Sequence, residues 1–251
     1  MRLLLSSLSV LLGSCLALGR VHAAEAQVAV AANFAEPIKA IAAEVHKITG
    51  HTLKITLGST GKLYAQIRNG APLDVLLAAD TATPQRLEQD GLAQPGSRFT
   101  YANGQLALWS ARAGRVDDQG AVLRAADLGK VALAAPKLAP YGAAAVQAMD
   151  RMGLTDALRP RLVQGESIGQ AFNFVATGNA DVGFVALSQV MEAGRLKSGS
   201  VWVLPPTLYS PIRQDAVLLR RGARNEAAQA LMQLLQSPQT RELIRAHGYT
   251  F

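Results

Sequence analysis

The chain has 251 residues, 49% of them hydrophobic and 17% charged, with a net charge of +7 and one cysteine, Cys15. That length suits one large domain or two lobes around a buried core, and a lone cysteine excludes an intrachain disulfide and a cysteine-built metal centre. The basic residues are scattered, Arg220-Arg221-Gly222-Ala223-Arg224 being the densest group, so they describe a solvated surface rather than the aromatic-interleaved basic face of a nucleic-acid binder.

Residues 1–23 have the pattern of a secretory signal peptide. Arg2 precedes an apolar run, Leu3 to Leu18, and small-residue sites follow at Val21-His22-Ala23 and Ala24-Glu25-Ala26. The run falls short of the ~20 residues needed to span a bilayer. Leu12-Gly13-Ser14-Cys15 also resembles a lipobox that would lipidate Cys15. The apolar pattern continues past Cys15, which favours cleavage near Ala23. The exported chain is then cysteine-free, and loss of Arg2 and Arg20 lowers its net charge to +5.

Strand-like and helix-like patterns then alternate. Gln27–Ala32 reads as a buried strand, and Glu36–Thr49 as a helix with Ile38, Ile41, Ala42 and Val45 on one face, stopped by Gly50. Thr52–Leu57 is a strand, Lys62–Arg68 a helix, Leu73–Ala78 a strand, and Pro84–Asp90 a helix capped by Asp80 or Thr81. Three β-α units in series predict a parallel sheet with helices on both faces. Arg98–Tyr101 and Gln105–Ser110 read as extended runs around a turn at Asn103-Gly104. A second series follows: strand Lys130–Ala134, helix Ala143–Met152, strand Arg161–Val163, helix Gly169–Thr177, strand Asp181–Leu187, helix Ser188–Ala193 and strand Ser200–Leu204. Ile212–Leu219 is extended, and helices Asn225–Gln236 and Pro238–Ala246 end the chain. The expected architecture is two α/β lobes, residues 24–108 with 214–251 and residues 109–213. Gln105–Ser110 and Ile212–Leu219 are candidate hinge crossings, and the carboxyl ends of the strands face the inter-lobe cleft.

Four junctions between a strand and a helix start carry the candidate site. They are Asn33; Ser59 and Thr60 within Gly58-Ser59-Thr60-Gly61-Lys62; Tyr141 within Pro140-Tyr141-Gly142; and Glu166-Ser167-Ile168-Gly169. Each alone is a helix cap. Two per lobe at the same kind of boundary point to a shared oxyanion, bound by N–H groups and the positive ends of helix dipoles. Asn33, Thr60 and Tyr141 supply neutral donors, and the adjacent glycines allow close backbone approach. A permanent dianion needs no counter-charge there, because charge-assisted bonds are about twice as strong as neutral ones. Monohydrogen phosphate would need an acceptor, which Glu166 could supply. Lys62 faces either the cleft or solvent.

Other chemistries are less well served. Gly165-Glu166-Ser167-Ile168-Gly169 has the form of a hydrolase nucleophile elbow, with Asp181 and His247 following in hydrolase order. However, Arg161-Leu162-Val163-Gln164 is too polar for the central strand that elbow requires. His46, His51 and Glu44 read as one polar helix end rather than a metal site. Tyr64, Tyr101, Tyr141, Tyr209 and Tyr249 could ligate ferric iron, but half-buried packing roles suit tyrosine better. Paired catalytic carboxylates are not evident, so no enzyme is expected.

Several motifs together resemble the periplasmic molybdate-binding proteins of ABC importers, over essentially the whole exported chain. They are Val28-Ala29-Val30-Ala31-Ala32-Asn33-Phe34, Gly58-Ser59-Thr60-Gly61-Lys62-Leu63-Tyr64-Ala65-Gln66-Ile67, Asn69-Gly70-Ala71-Pro72-Leu73-Asp74-Val75, Pro95-Gly96-Ser97-Arg98-Phe99-Thr100-Tyr101, Ala139-Pro140-Tyr141-Gly142 and Asp181-Val182-Gly183-Phe184-Val185-Ala186-Leu187. The resemblance implies a two-lobed type II periplasmic binding fold of mostly parallel sheets, with molybdate or tungstate in the cleft. It also implies no cofactor, and a monomeric chain that serves an inner-membrane ABC permease. By motif it places Asn33, Ser59, Thr60, Tyr141 and the Ile168 backbone at the ligand. The tyrosine that some members carry after the Gly-Phe-Val-like strand is Ala186 here, and Tyr141 is expected to replace it. Sulfate or phosphate remains an alternative ligand, and an exported serine hydrolase using Ser167 an alternative function.

Overall fold

The structure, a computed structural model, describes residues 23–251. The expected leader and Cys15 lie outside the described residues. In chain order the strands are β1 (Glu25–Ala31), β2 (Thr52–Gly58), β3 (Val75–Leu77), β4 (Phe99–Gly104), β5 (Leu106–Ser110), β6 (Val131–Ala134), β7 (Leu162–Gly165), β8 (Val182–Ala186), the two-residue β9 (Met191–Glu192) and β10 (Arg195–Leu196), β11 (Ser200–Val203) and β12 (Ile212–Leu218). The helices are α1 (Ala35–Thr49), α2 (Thr60–Arg68), α3 (Ala82–Gln89), α4 (Pro140–Arg151), α5 (Thr155–Leu158), α6 (Ile168–Ala176), α7 (Leu187–Val190), α8 (Glu226–Leu234) and α9 (Pro238–Ala246).

Two five-stranded sheets organise the molecule, in orders β2-β1-β3-β12-β4 and β11-β5-β8-β6-β7. Each has the parallel half expected from the β-α series, β2-β1-β3 in one and β8-β6-β7 in the other. Each also carries antiparallel strands, so both sheets are mixed. In the first sheet helices cover both faces. α1 and α8 bury Ile38, Ile41, Val45 and Leu231 on one side, and α2 and α3 bury Leu63, Ile67 and Leu87 on the other. The apolar spacing along α1 seats it, and Gly50 ends it in a left-handed conformation (φ 73°) whose N–H bonds His46 O.

Three sequence expectations are corrected. Asn103-Gly104 is not a hairpin turn: β4 runs through Gly104, and β5 pairs with β8 and β11 in the other sheet. Leu106–Leu108, assigned to the first lobe, therefore lie in the second sheet, while Ile212 and Arg213, assigned to the second lobe, pair with Gly104 and Asn103 in the first. All five β5 residues are buried, which a strand covered on both faces by the second core satisfies. The helix expected over Ser188–Ala193 stops at Val190 and gives way to the short β9-β10 hairpin.

The two sheets meet through close contacts. Gly61 N–H donates to Leu138 O (2.9 Å), Ser188 Oγ donates to Asn33 O (2.8 Å), and Lys62 Nζ pairs with Glu166 (2.9 Å). Ala31, Ala32 and Ala79, at or just past the ends of β1 and β3, belong to the same apolar cluster as Ala139, Tyr141 and Ile168 at the starts of α4 and α6. Small side chains let these walls approach.

Candidate functional site

Asn33, Ser59, Thr60, Tyr141 and Ile168 line one small, tight cavity between the sheets. Its remaining walls are Ala31, Ala32, Gly58, Ala79, Ala139 and Pro140, so no charged side chain faces it. The strand ends β1 and β2 and the helix starts of α2, α4 and α6 converge there.

Each donor has a different reason to be available. Ser59 occupies the N-cap position of α2 but makes no cap bond, and its buried hydroxyl has no partner among the described residues. Burying an unpaired hydroxyl costs about 1–3 kcal/mol, so a ligand is the natural use for it. Thr60 Oγ1 accepts the buried Ala79 N–H at 3.0 Å, which leaves its own proton unspent. Tyr141 Oη accepts from Gln214 Nε2 at 3.1 Å and likewise keeps a proton to give. Burial pushes the Tyr141 hydroxyl well above its ordinary pKa, so that proton stays in place at neutral pH. Ile168 opens α6, where the first backbone N–H groups have no intrahelical partner; Ser167 Oγ caps only Gln170 N–H (3.3 Å).

Asn33 differs from expectation. Its Nδ2 is turned away from the cavity, donating to Gln214 Oε1 (2.8 Å) and Tyr249 Oη (3.0 Å), while its buried Oδ1 is unpartnered. It presents an acceptor. Glu166 does not line the cavity. It is exposed on the rim, where the Lys62 hydrogen bond lowers its pKa, and the Lys62–Glu166 pair spans the cleft mouth above a groove that includes Ser59 and Ser167. Lys62 thus bridges the two lobes' rims.

A buried, neutral, donor-rich pocket between two mixed α/β sheets is the arrangement of a binding protein that encloses a small anion. Residues 26–250 match the family described as bacterial extracellular solute-binding protein. The chain belongs to that family. It is similar to the molybdate-binding protein ModA of Azotobacter vinelandii, 56% identical over 245 residues that cover 98% of this chain and 97% of that protein. ModA of Rhodobacter capsulatus is 52% identical over 227 residues, covering 90% of this chain and 88% of that one. Among solved structures, the periplasmic molybdate-binding protein of Azotobacter vinelandii superposes with a TM-score of 0.87 at 42% identity, covering 90% of this chain and 99% of that one.

In this solute-binding protein the residues behind the cavity escaped sequence reasoning. Gln214, Tyr101 and Tyr249 are buried and join Asn33 and Tyr141 in one hydrogen-bond network. The available signal was Gln214-Asp215, two polar residues that follow Arg213 in β12 and lead into its apolar end, Ala216–Leu218. Gly104 was read only as a turn; an added Cβ there would overlap the Tyr141 hydroxyl and lie 2.5 Å from Gln214 Nε2.

The alternative chemistries find no assembly among the described residues. Ser167 caps α6, Asp181 is held by Arg112, Arg115 and the Gly129 N–H, and His247 Nδ1 meets Leu243 O, so the three share no hydrogen bond. His46 Nδ1 meets His51 O and His51 Nδ1 accepts the Ala24 N–H, both local ties at the end of α1. Tyr64 and Tyr209 bond Asp90 and the Leu106 N–H, away from the cavity.

Proposed function

We propose that this solute-binding protein captures molybdate or tungstate between its two sheets and delivers it to an inner-membrane ABC permease. The observation that carries the reading is the pair of unspent buried hydroxyls, Ser59 and Thr60, in a cavity with no charged wall. Such a site suits a tetrahedral anion that brings all of its charge, since each neutral donor then makes a charge-assisted bond. Ser59, Thr60, Tyr141 and the Ile168 N–H are the proposed donors, with Asn33 as an adjoining wall. The similarity to the two ModA proteins supports the choice of anion.

The sheets act as lobes that part to admit the anion and close over it. Gln105 and the Pro205–Pro211 segment connect them, which makes these the hinges. Residues 1–23 serve as the export signal, and the monomeric chain works in the periplasm without a covalent step.

A thermal-shift panel tests the ligand. At a hundred times Kd, a ligand that binds only the native state adds about 2.7 kcal/mol, which raises Tm by roughly 5–11 °C for a chain of this size. Molybdate and tungstate are expected to give this shift and ferric iron none. Sulfate is the control for a smaller dianion. Phosphate is the informative arm, because the unpartnered Asn33 Oδ1 could accept its proton. A shift with phosphate but not with molybdate would overturn the assignment.

Gly104→Ala probes the wall from behind. The new Cβ must displace Tyr141 or Gln214, and the expected result is a loss of molybdate affinity of roughly tenfold or more, the cost of one charge-assisted bond. Calorimetric titration showing affinity within threefold of the parent would mean that Tyr141 does not set the site's geometry.

A further inference from the structure

Gln214 does not line the cavity, yet it is fully buried and bonds two residues that do. Its Oε1 accepts from Asn33 Nδ2 (2.8 Å) and Tyr101 Oη (3.0 Å), and its Nε2 donates to Tyr141 Oη (3.1 Å). A carboxamide has fixed polarity, one end accepting and the other donating. Because Tyr141 Oη receives a proton from Gln214, its own proton must point elsewhere, and it has no other side-chain partner among the described residues. Tyr141 lines the cavity, where a bound anion would take that proton.

The network resists reversal of either amide alone, which ties the polarity of Asn33 to that of Gln214. Turning Asn33 over alone would set its Oδ1 against Gln214 Oε1 at 2.8 Å. Turning Gln214 over alone would set its Nε2 against Asn33 Nδ2 at the same separation. Tyr249 supports the register from behind, contacting both Nδ2 and the backbone oxygen of Asn33. The contact also crosses the cleft, since Gln214 lies on β12 of the first sheet and Tyr141 on α4 beside the second.

We propose that Gln214 is a positioning residue for the anion site: by donating to Tyr141 Oη when the lobes are together, it commits the Tyr141 proton to the ligand. The proposal rests on the oxyanion reading above. It makes Gln214 matter through the direction of a proton rather than through contact with the anion. A carboxylate in its place would accept from both Tyr141 and Asn33 and draw the Tyr141 proton out of the cavity.

The test is a double-mutant cycle read by calorimetric titration with molybdate. Gln214→Glu is expected to weaken binding by roughly tenfold or more, as for loss of a charge-assisted donor. Tyr141→Phe is expected to cost about tenfold in the parent but less than about threefold when combined with Gln214→Glu, because the proton is already withdrawn. An equal cost of Tyr141→Phe in both backgrounds, or a Gln214→Glu affinity within threefold of the parent, would overturn the proposal. A residue that only filled space would give additive effects.

A second measurement needs neither a variant nor a ligand. In the parent chain, the Gln214 side-chain amide protons should show nuclear Overhauser contacts to the Tyr141 ring. Contacts to Tyr101 and not to Tyr141 would mean the amide is reversed and the proposal wrong. If no oxyanion binds, the functional reading fails while this measurement still decides the direction of Gln214.

Discussion

Thr60→Ala is expected to weaken molybdate binding by roughly ten- to a hundredfold, the loss of one charge-assisted hydrogen bond at about 1.5–3 kcal/mol. The effect is large because Thr60 is at once a donor and a wall. It is 1% exposed, and the Ala79 N–H occupies its acceptor side, so the proton it gives is aimed by the fold. Removing the hydroxyl also strands the Ala79 N–H, which lowers stability by about 1–3 kcal/mol. Thr60→Ser separates the two contributions, since it keeps both the donor and the acceptor and should bind within about threefold of the parent. Titration calorimetry with a melting curve on each variant reads affinity and stability independently. Unchanged affinity in Thr60→Ala would remove Thr60 from the site. Ser59→Ala makes a useful companion. Its hydroxyl has no partner among the described residues, so its loss should reduce affinity without lowering Tm.

Gly142→Ala is expected to be the most destabilising single substitution near the site. The added Cβ would overlap the carbonyl oxygen of Ala134 and lie 2.8 Å from its carbonyl carbon and 3.1 Å from that of Ala135. These are backbone atoms at the end of β6, so no side chain can swing aside. Overpacking usually costs 1–3 kcal/mol; with an immovable partner about 3 kcal/mol is expected, or roughly 6–12 °C in Tm. Helix α4 would have to lift from β6 and carry Tyr141 with it, so anion affinity should fall as well. Gly169→Ala is the matched control. Its Cβ would find only Ala32 Cβ at 3.4 Å and Ser167 Oγ at 3.5 Å, so Tm should hold or rise slightly as helix propensity improves. Equal melting temperatures for the two variants would show that the α4–β6 contact yields more than its geometry suggests.

The Lys62–Glu166 pair is unlike these contacts. Both side chains are more than half exposed, and surface pairs of this kind contribute little to stability. Its place is at the rim, where it ties α2 beside the first sheet to the segment before α6 beside the second.

Much of the fold and site was legible in the chain because the signals are local. The spacing of Ile38, Ile41 and Val45, the left-handed Gly50, and the short polar residues at the starts of α2 and α6 are set within a few positions by helix geometry and capping. Those patterns placed Asn33, Ser59, Thr60, Tyr141 and Ile168 at strand-to-helix junctions, and the absence of charge among them followed from composition alone. The sheet partners of β5 and β12 were not legible. β5 is a short apolar run and β12 a mixed one, and either pattern shows burial without showing which sheet takes the strand. Reading Asn103-Gly104 as a turn was the natural local choice. The chain instead continues extended into the other sheet because Gly104 must lie flat against Tyr141 and Gln214.

While the tertiary structure put Glu166 and Lys62 outside the cavity, the sequence by itself determined which kinds of group could meet an anion: neutral hydroxyls and amides at helix starts. Only the tertiary structure decided which way their protons point. Tyr141 and Gln214 are 73 positions apart, and Asn33 and Gln214 are 181 apart, far beyond the reach of periodicity or capping. A hydroxyl or amide is a donor or an acceptor only relative to the partner that takes its other side, and here those partners arrive from distant strands. For that reason the roles of Asn33 and Tyr141 depend on Gln214, which lines no part of the cavity yet hydrogen-bonds both.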